Sequence, residues 1–283
     1  MGQKRNEAKF CGLLVIICLT FFLASCGNDK LVGYDVRIYK NTPVWDIAKA
    51  IQNDDTSQIK ELLRGKPDSI LNYKEKYFGQ SLLNWAVFAR HYPSVIALSE
   101  LGANPNIQSN DGTSAFIQAA DVYETSDYLK LLLKHGGDIN AVAQTKGIQD
   151  LKTPLIAAVN SRRLENVKIL LDAGANIDYS YTYGYLCITA LYKASINDDI
   201  QAVHYLIIDK KADFKKGFMI ANDGDTMHVV DNLRYMAFPL ESIDYKMKME
   251  VVEYLKERGV DYAKTLIPAT IKDNYPKDYL DKY

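Results

Sequence analysis

Cysteine is scarce where a secreted disulfide fold would need it: of four, Cys11, Cys18 and Cys26 fall in the first 26 residues and Cys187 stands alone beyond them. One thiol cannot pair with itself, so no disulfide framework holds the body. An excess of one charge is lacking too. The 34 Lys+Arg against 35 Asp+Glu give a net charge of −1, and no basic cluster exceeds short pairs, which removes nucleic acid as a partner. There are only four histidines, and no Ser/His/Asp or Cys/His spacing, HExxH sequence or glycine-rich phosphate loop occurs. The sequence therefore implies no cofactor and no enzyme. No apolar run reaches the ~20 residues that span a bilayer as a helix. What is present is a globular composition, 48% hydrophobic and 24% charged over 283 residues.

Lys4, Arg5 and Lys9 make a basic start, and the apolar run from Phe10 to Phe22 closes on Leu23-Ala24-Ser25-Cys26-Gly27. A short apolar core between basic and small residues is the pattern of a secretory signal. Leu-Ala-Ser-Cys resembles the lipobox of bacterial lipoproteins, which implies cleavage after residue 25 and a lipid on Cys26. Each buried methylene contributes about 0.8 kcal/mol, so the several acyl chains of that family would hold the protein on a membrane almost permanently. The implied location is the bacterial cell envelope, facing the periplasm or the cell surface. An uncleaved apolar anchor is the other reading. Gly27 does not resemble the Asp that retains such proteins at the inner membrane. Losing residues 1–25 removes Lys4, Arg5, Lys9 and Glu7, which leaves 31 Lys+Arg against 34 Asp+Glu. Residues 26–41 then read as lipidated Cys and extended tether, 42–265 as a repeat array and 266–283 as a tail.

The array shows as an internal period. Leu62-Leu63, Leu98-Ser99, Leu132-Leu133, Leu170-Leu171, Ile207-Ile208 and Leu255-Lys256 recur at spacings of 36, 34, 38, 37 and 48 residues. Four residues after the first member of a pair stands Gly102, Gly136, Gly174 or Gly259, where a helix can end in a left-handed residue. The first copy has Gly65 one place early. The fifth has Lys211, which should cost on the order of 1 kcal/mol if the left-handed turn is kept. The clearest copy is Thr153-Pro154-Leu155-Ile156-Ala157-Ala158-Val159 followed by Val167 to Gly174 and Ala175-Asn176-Ile177-Asp178. Thr caps a helix, Pro fits its first turn, Ala lets helices pack closely, and Gly ends the second helix. Ser81, Ser114 and Thr189 open similar copies; a degraded first copy starts at Trp45, and Pro239-Leu240 with Val251 to Gly259 suggests a sixth, capping one.

This pattern closely resembles the ankyrin repeat across residues 45–262. The resemblance implies an all-α solenoid of about six helix-turn-helix units with β-hairpin fingers, used to bind rather than to catalyse. The family's usual His after Thr-Pro-Leu is replaced by Asn84, Ile117, Ile156, Tyr192 and Glu241, so less regular turns are expected.

Candidate functional residues are few. His135 precedes a helix-ending Gly, His204 sits at an apolar helix position, and His91 lies in a turn facing solvent. His228 lies near Asp223, Asp225 and Asp231 in a long insertion, 212–237. Those carboxylates and the imidazole could hold a divalent metal, whereas Asn222-Asp223-Gly224-Asp225 between apolar pairs is also a hairpin turn. Cys187, between Leu186 and Ile188, reads as a buried, inert thiol. The aromatic signal is stronger: among 20 tyrosines, Tyr179, Tyr181, Tyr183 and Tyr185 alternate along one finger, and an extended strand would put all four on one face. They are candidates for partner binding, or for sealing the flank of the next copy.

The expected function is that of a membrane-anchored adaptor binding a protein partner, of a kind that includes immunity proteins neutralising exported toxins. A metal-dependent enzyme built on the 212–237 insertion, or a structural envelope component, are the alternatives.

Overall fold

The computed structural model describes residues 31–122, 124–144, 152–220 and 226–283, and within them helices follow one another in six pairs. The pairs are α1 (Trp45–Gln52) and α2 (Thr56–Leu63), followed by the single turn α3 (Asp68–Leu71); α4 (Leu82–Phe88) and α5 (Tyr92–Glu100); α6 (Ala115–Asp121) and α7 (Asp127–Lys134); α8 (Pro154–Asn160) and α9 (Leu164–Asp172); α10 (Ala190–Ile196) and α11 (Ile200–His204); and α12 (Val229–Leu233) and α13 (Ile243–Lys256). Cys26 lies outside the described residues.

Local chemistry starts the first helices of the second to fifth pairs where the sequence says. The hydroxyls of Ser81, Ser114, Thr153 and Thr189 accept from the N–H groups of Asn84, Ile117, Ile156 and Tyr192 at 3.0–3.3 Å. Each such cap contributes about 1 kcal/mol. Second helices stop at Gly102, Gly136, Gly174 and Gly259, all with φ between 81° and 95°. Lys211 takes the same left-handed turn at φ 59°, the strained substitute expected of it. The fifth pair also carries one extra residue, absorbed by a wide turn at Tyr205–Asp209 that continues α11.

Packing joins the pairs into a row. First helices lie against first helices (α4 on α6, α6 on α8, α8 on α10) and second helices against second helices. Ala86, Ala119, Ala120, Ala157, Ala158 and Ala194 are buried at these contacts, where anything larger would hold the helices apart. No helix pair could hide its apolar face without its neighbours.

The fingers contain strands: β1 (Tyr181–Tyr183), β2 (Leu186–Ile188), β3 (Phe218–Ile220) and β4 (Thr226–His228) form one antiparallel sheet in that order, which joins two fingers. Two expectations need correction. The sixth pair starts at Val229, not at Pro239-Leu240: the insertion 212–237 contains a finger and a first helix, and Pro239 lies in the connection to α13. The stretch 26–41 is not all tether. From Val36 to Tyr39 it forms a 3-10 turn with Val36, Ile38 and Tyr39 buried, and the Tyr39 hydroxyl donates to the main-chain oxygen of Ser81 at 3.0 Å.

At the other end, α14 (Ala269–Asn274) and α15 (Lys277–Leu280) fold residues 266–283 back over the last pair. Ile271, Tyr279 and Tyr283 form a second small core against Ala237 and Leu240. The tail thus covers the side of α12 and α13 that no further pair covers.

Candidate functional site

The tyrosine finger reverses rather than running on. Tyr183 pairs with Leu186, so Gly184 and Tyr185 form a two-residue turn with Gly184 at φ 57°. Glycine first in such a turn matches the right-handed twist of the flanking strands. The four tyrosines therefore do not share one extended face. Tyr181 faces Ile188 across the ladder and both are buried; Tyr179 packs beside Tyr181, ring centres 6.4 Å apart. Burial raises the Tyr179 hydroxyl above the usual tyrosine range. Tyr183 and Tyr185 project outward, 51% and 73% exposed. The alternation is split in two by the turn: one half packs against the body and the other is exposed.

What holds that tip is the neighbouring finger. Strand β3 pairs with β2 through Leu186 with Met219 and Cys187 with Phe218, and the Ile220 N–H donates to the Tyr185 main-chain oxygen at 2.9 Å. The exposed Ile220 thereby joins Tyr183 and Tyr185 at one tip. Gly217 allows the close approach at the base: a Cβ there would lie 2.6 Å from Thr189 Oγ1, and its φ is 95°. Sequence reasoning did not single out Ile220, since nothing in a single sequence says that two fingers share a sheet.

The finger bases are tied by a ladder of Asn and Asp side chains. Asn72, Asn106, Asn140 and Asp178 accept, through Oδ1, from the N–H groups of Asn104, Asp138, Asn176 and Asp213 in the following pair, at 2.8–2.9 Å. Within each finger base, Asn104, Asp138, Asn176 and Asp213 accept from the N–H two residues on, at 2.9–3.2 Å. An Asx-x-Asx recurring after Gly102, Gly136 and Gly174 was the available signal.

The histidines are structural ties. His91 is half-buried, its Nδ1 3.2 Å from Asp54 Oδ2 and its ring 5.6 Å from that of Trp85, so it does not face solvent. His204 is no packed core residue either: its Nε2 lies 2.6 Å from Glu250 Oε2, linking the fifth and sixth pairs. His135 ends α7. His228 ends β4 and its N–H donates to Asp231 Oδ2 at 2.7 Å, starting α12. Asp223 and Asp225 lie outside the described residues, and among the described residues no group of three His, Cys, Asp or Glu could hold a metal ion. Cys187 is half-buried within the sheet rather than in the core. No described helix is long and apolar enough to cross a membrane.

A family model for ankyrin repeats, in three copies, matches residues 95–182. Protein PhlB of Serratia liquefaciens is 30% identical over 188 residues, 65% of this chain and 76% of its own length. The crystal structure of the ankyrin-repeat protein EF0377 superposes with a TM-score of 0.54 at 25% identity, covering 77% of this chain and 99% of that one.

Proposed function

From the premise that this chain belongs to the ankyrin-repeat family, we propose that it is a membrane-tethered adaptor that binds a protein partner in the bacterial cell envelope. Ankyrin arrays are typically non-enzymatic scaffolds for protein–protein interaction, and stacked repeats offer an extended binding surface. The observation that carries the reading is the exposed cluster Tyr183, Tyr185 and Ile220 on two fingers braced into one sheet. Exposed aromatics on a rigid element lose little freedom on docking and serve as binding anchors. The tether in this reading is the lipid on Cys26, supported by the Leu23-Ala24-Ser25-Cys26 motif after a short apolar run.

The partner in this proposal is an exported toxin that the adaptor neutralises, which makes it an immunity protein. A body of 31 Lys+Arg against 34 Asp+Glu suits a basic partner. Affinity capture from envelope extracts with the full chain tests the reading. One stoichiometric protein is expected, and its recovery should fall at least about tenfold for Tyr183→Ala with Tyr185→Ala while the melting temperature holds. Recovery of no stoichiometric protein would sink it. Cys26→Ser should move the protein out of the membrane fraction; a variant that stays there would remove the lipid from the account.

A further inference from the structure

The turn between the two helices of the first, second, fourth and fifth pairs carries a residue in the left-handed region: Asp54, Arg90, Arg162 and Asp198, with φ between 52° and 68°. The first three side chains reach forward to the next pair. Asp54 Oδ1 accepts from the Ser94 hydroxyl at 2.7 Å, Arg90 pairs with Glu124, and Arg162 donates to the Asn197 main-chain oxygen. Asp198 differs, since its carboxylate makes no hydrogen bond or ion pair among the described residues. It stands instead at a cavity of about 400 Å³ where the bend of the sixth pair meets the tail. Tyr235 and Phe238 come from the connection after α12, and Ile271, Asn274 and Tyr275 from α14 and its end. Among the described residues that line the cavity, Asp198 carries the only charge.

We propose that this cavity binds a small organic ammonium ion, with its charged head at the Asp198 carboxylate and the Asn274 side-chain oxygen and its carbon body among Tyr235, Phe238, Ile271 and Tyr275. The volume falls within the range of small-molecule sites. Aromatic rings attract a cation, and a primary ammonium brings three donors that need acceptors. Asn274 keeps one to offer: its Nδ2 donates to the Thr270 main-chain oxygen at 2.7 Å, which leaves Oδ1 to accept. Two arginines near the cavity are engaged elsewhere. Arg234 donates to the main-chain oxygens of Tyr262 and Tyr283 and to Thr265 Oγ1 at 2.7–3.0 Å, and Arg162 is taken up by Asn197. The aromatic wall is held before a ligand arrives, because the Tyr279 hydroxyl donates to the Phe238 main-chain oxygen at 2.8 Å and the Tyr275 ring stacks on that of Tyr279 at 4.5 Å. A wall already in place loses little freedom on binding. The site adjoins the end of α10 away from the fingers, so it does not rest on the adaptor reading.

The test uses the full chain and para-fluorobenzylammonium, titrated by fluorine NMR at neutral pH beside its uncharged counterpart, para-fluorobenzyl alcohol. Saturable binding is expected, about tenfold tighter for the ammonium than for the alcohol. Asp198→Asn removes the charge and keeps a residue that tolerates the left-handed turn, so it should weaken the ammonium about tenfold and the alcohol little. Thr270→Arg, at an exposed position on the cavity wall, sets a competing cation there and should weaken the ammonium as much. Asp273→Asn alters an exposed carboxylate of α14 outside the lining and should leave binding unchanged. An unsaturable titration, equal affinity for the two probes, or parent-like binding of the ammonium by Asp198→Asn would overturn the proposal. So would an equal loss for Asp273→Asn, which would show attraction to surface charge in general.

Discussion

Lys248 is fully buried, donates to the Met236 main-chain oxygen at 2.9 Å, and has its Nζ 3.6 Å from the ring centre of Tyr283. Burial, with the Arg234 guanidinium as a second cause, pushes its ammonium down to about 6. Arg234 is buried beside it, donating to the main-chain oxygens of Tyr262 at 2.7 Å and Tyr283 at 2.8 Å. Between pH 6 and about 10 the unfolded chain holds a proton on Lys248 that the native chain does not, so stability should rise with pH across that window. The slope is at most about 1.4 kcal/mol per pH unit. Chemical denaturation at pH 6.5 and pH 9 checks this: the parent should be more stable at pH 9, and Lys248→Met should be stabilised at pH 6.5 and lose most of the difference. An unchanged slope would mean that Lys248 is charged in the native state. Single residues of this kind were illegible in the sequence, because Lys248 sits among Lys246, Met247 and Met249 with nothing to mark it as buried.

Elements were far more legible than residues, wherever a local signal and the packing agreed. Ser81, Ser114, Thr153 and Thr189 named their helices in advance because an N-cap acts through its own hydroxyl and the next turn. The sixth pair was misplaced for the same reason inverted: Pro239-Leu240 imitates the start of a helix, while the true one begins at His228, whose own N–H is met by Asp231. The tyrosine finger was half legible, since its alternation was visible and its reversal at Gly184 was not. The Asx ladder gives this scale its test. Asn140→Ala removes one rung to Asn176 and a 3.5 Å amide contact to the Gly174 oxygen, leaving an N–H unmet. A loss of about 1–2 kcal/mol in urea unfolding is expected; no loss would show the rung to be replaceable by water. In the other direction, the ladder stops at Lys215, and Lys215→Asn supplies the missing acceptor for Asp261 and should stabilise the array by about 1 kcal/mol.

At the scale of the whole molecule, a row of pairs is only as sound as its ends. The N-terminal end is closed by Tyr39 and the 3-10 turn, the C-terminal end by residues 266–283, whose Tyr283 hydroxyl donates to the Arg234 main-chain oxygen at 2.5 Å. Deleting residues 266–283 removes Ile271, Tyr279 and Tyr283 and uncovers Arg234, Lys248, Ala237 and Leu240. Hydrogen exchange should then accelerate in α12 and α13 well before α6 and α8, as local opening starts at the uncovered end. The repeat architecture was legible because it is written several times over, and the caps were not, because each occurs once.

Between those ends the braced fingers are the proposed point of contact, and crosslinking in cells asks about it most directly. A photoreactive residue placed at position 185 is compared with one at 196, where exposed Ile196 closes α10 at the end away from the fingers. One discrete protein adduct from position 185 and none from 196 is the expected result. Adducts equal at both positions, or absent at 185, would contradict binding through the finger tips.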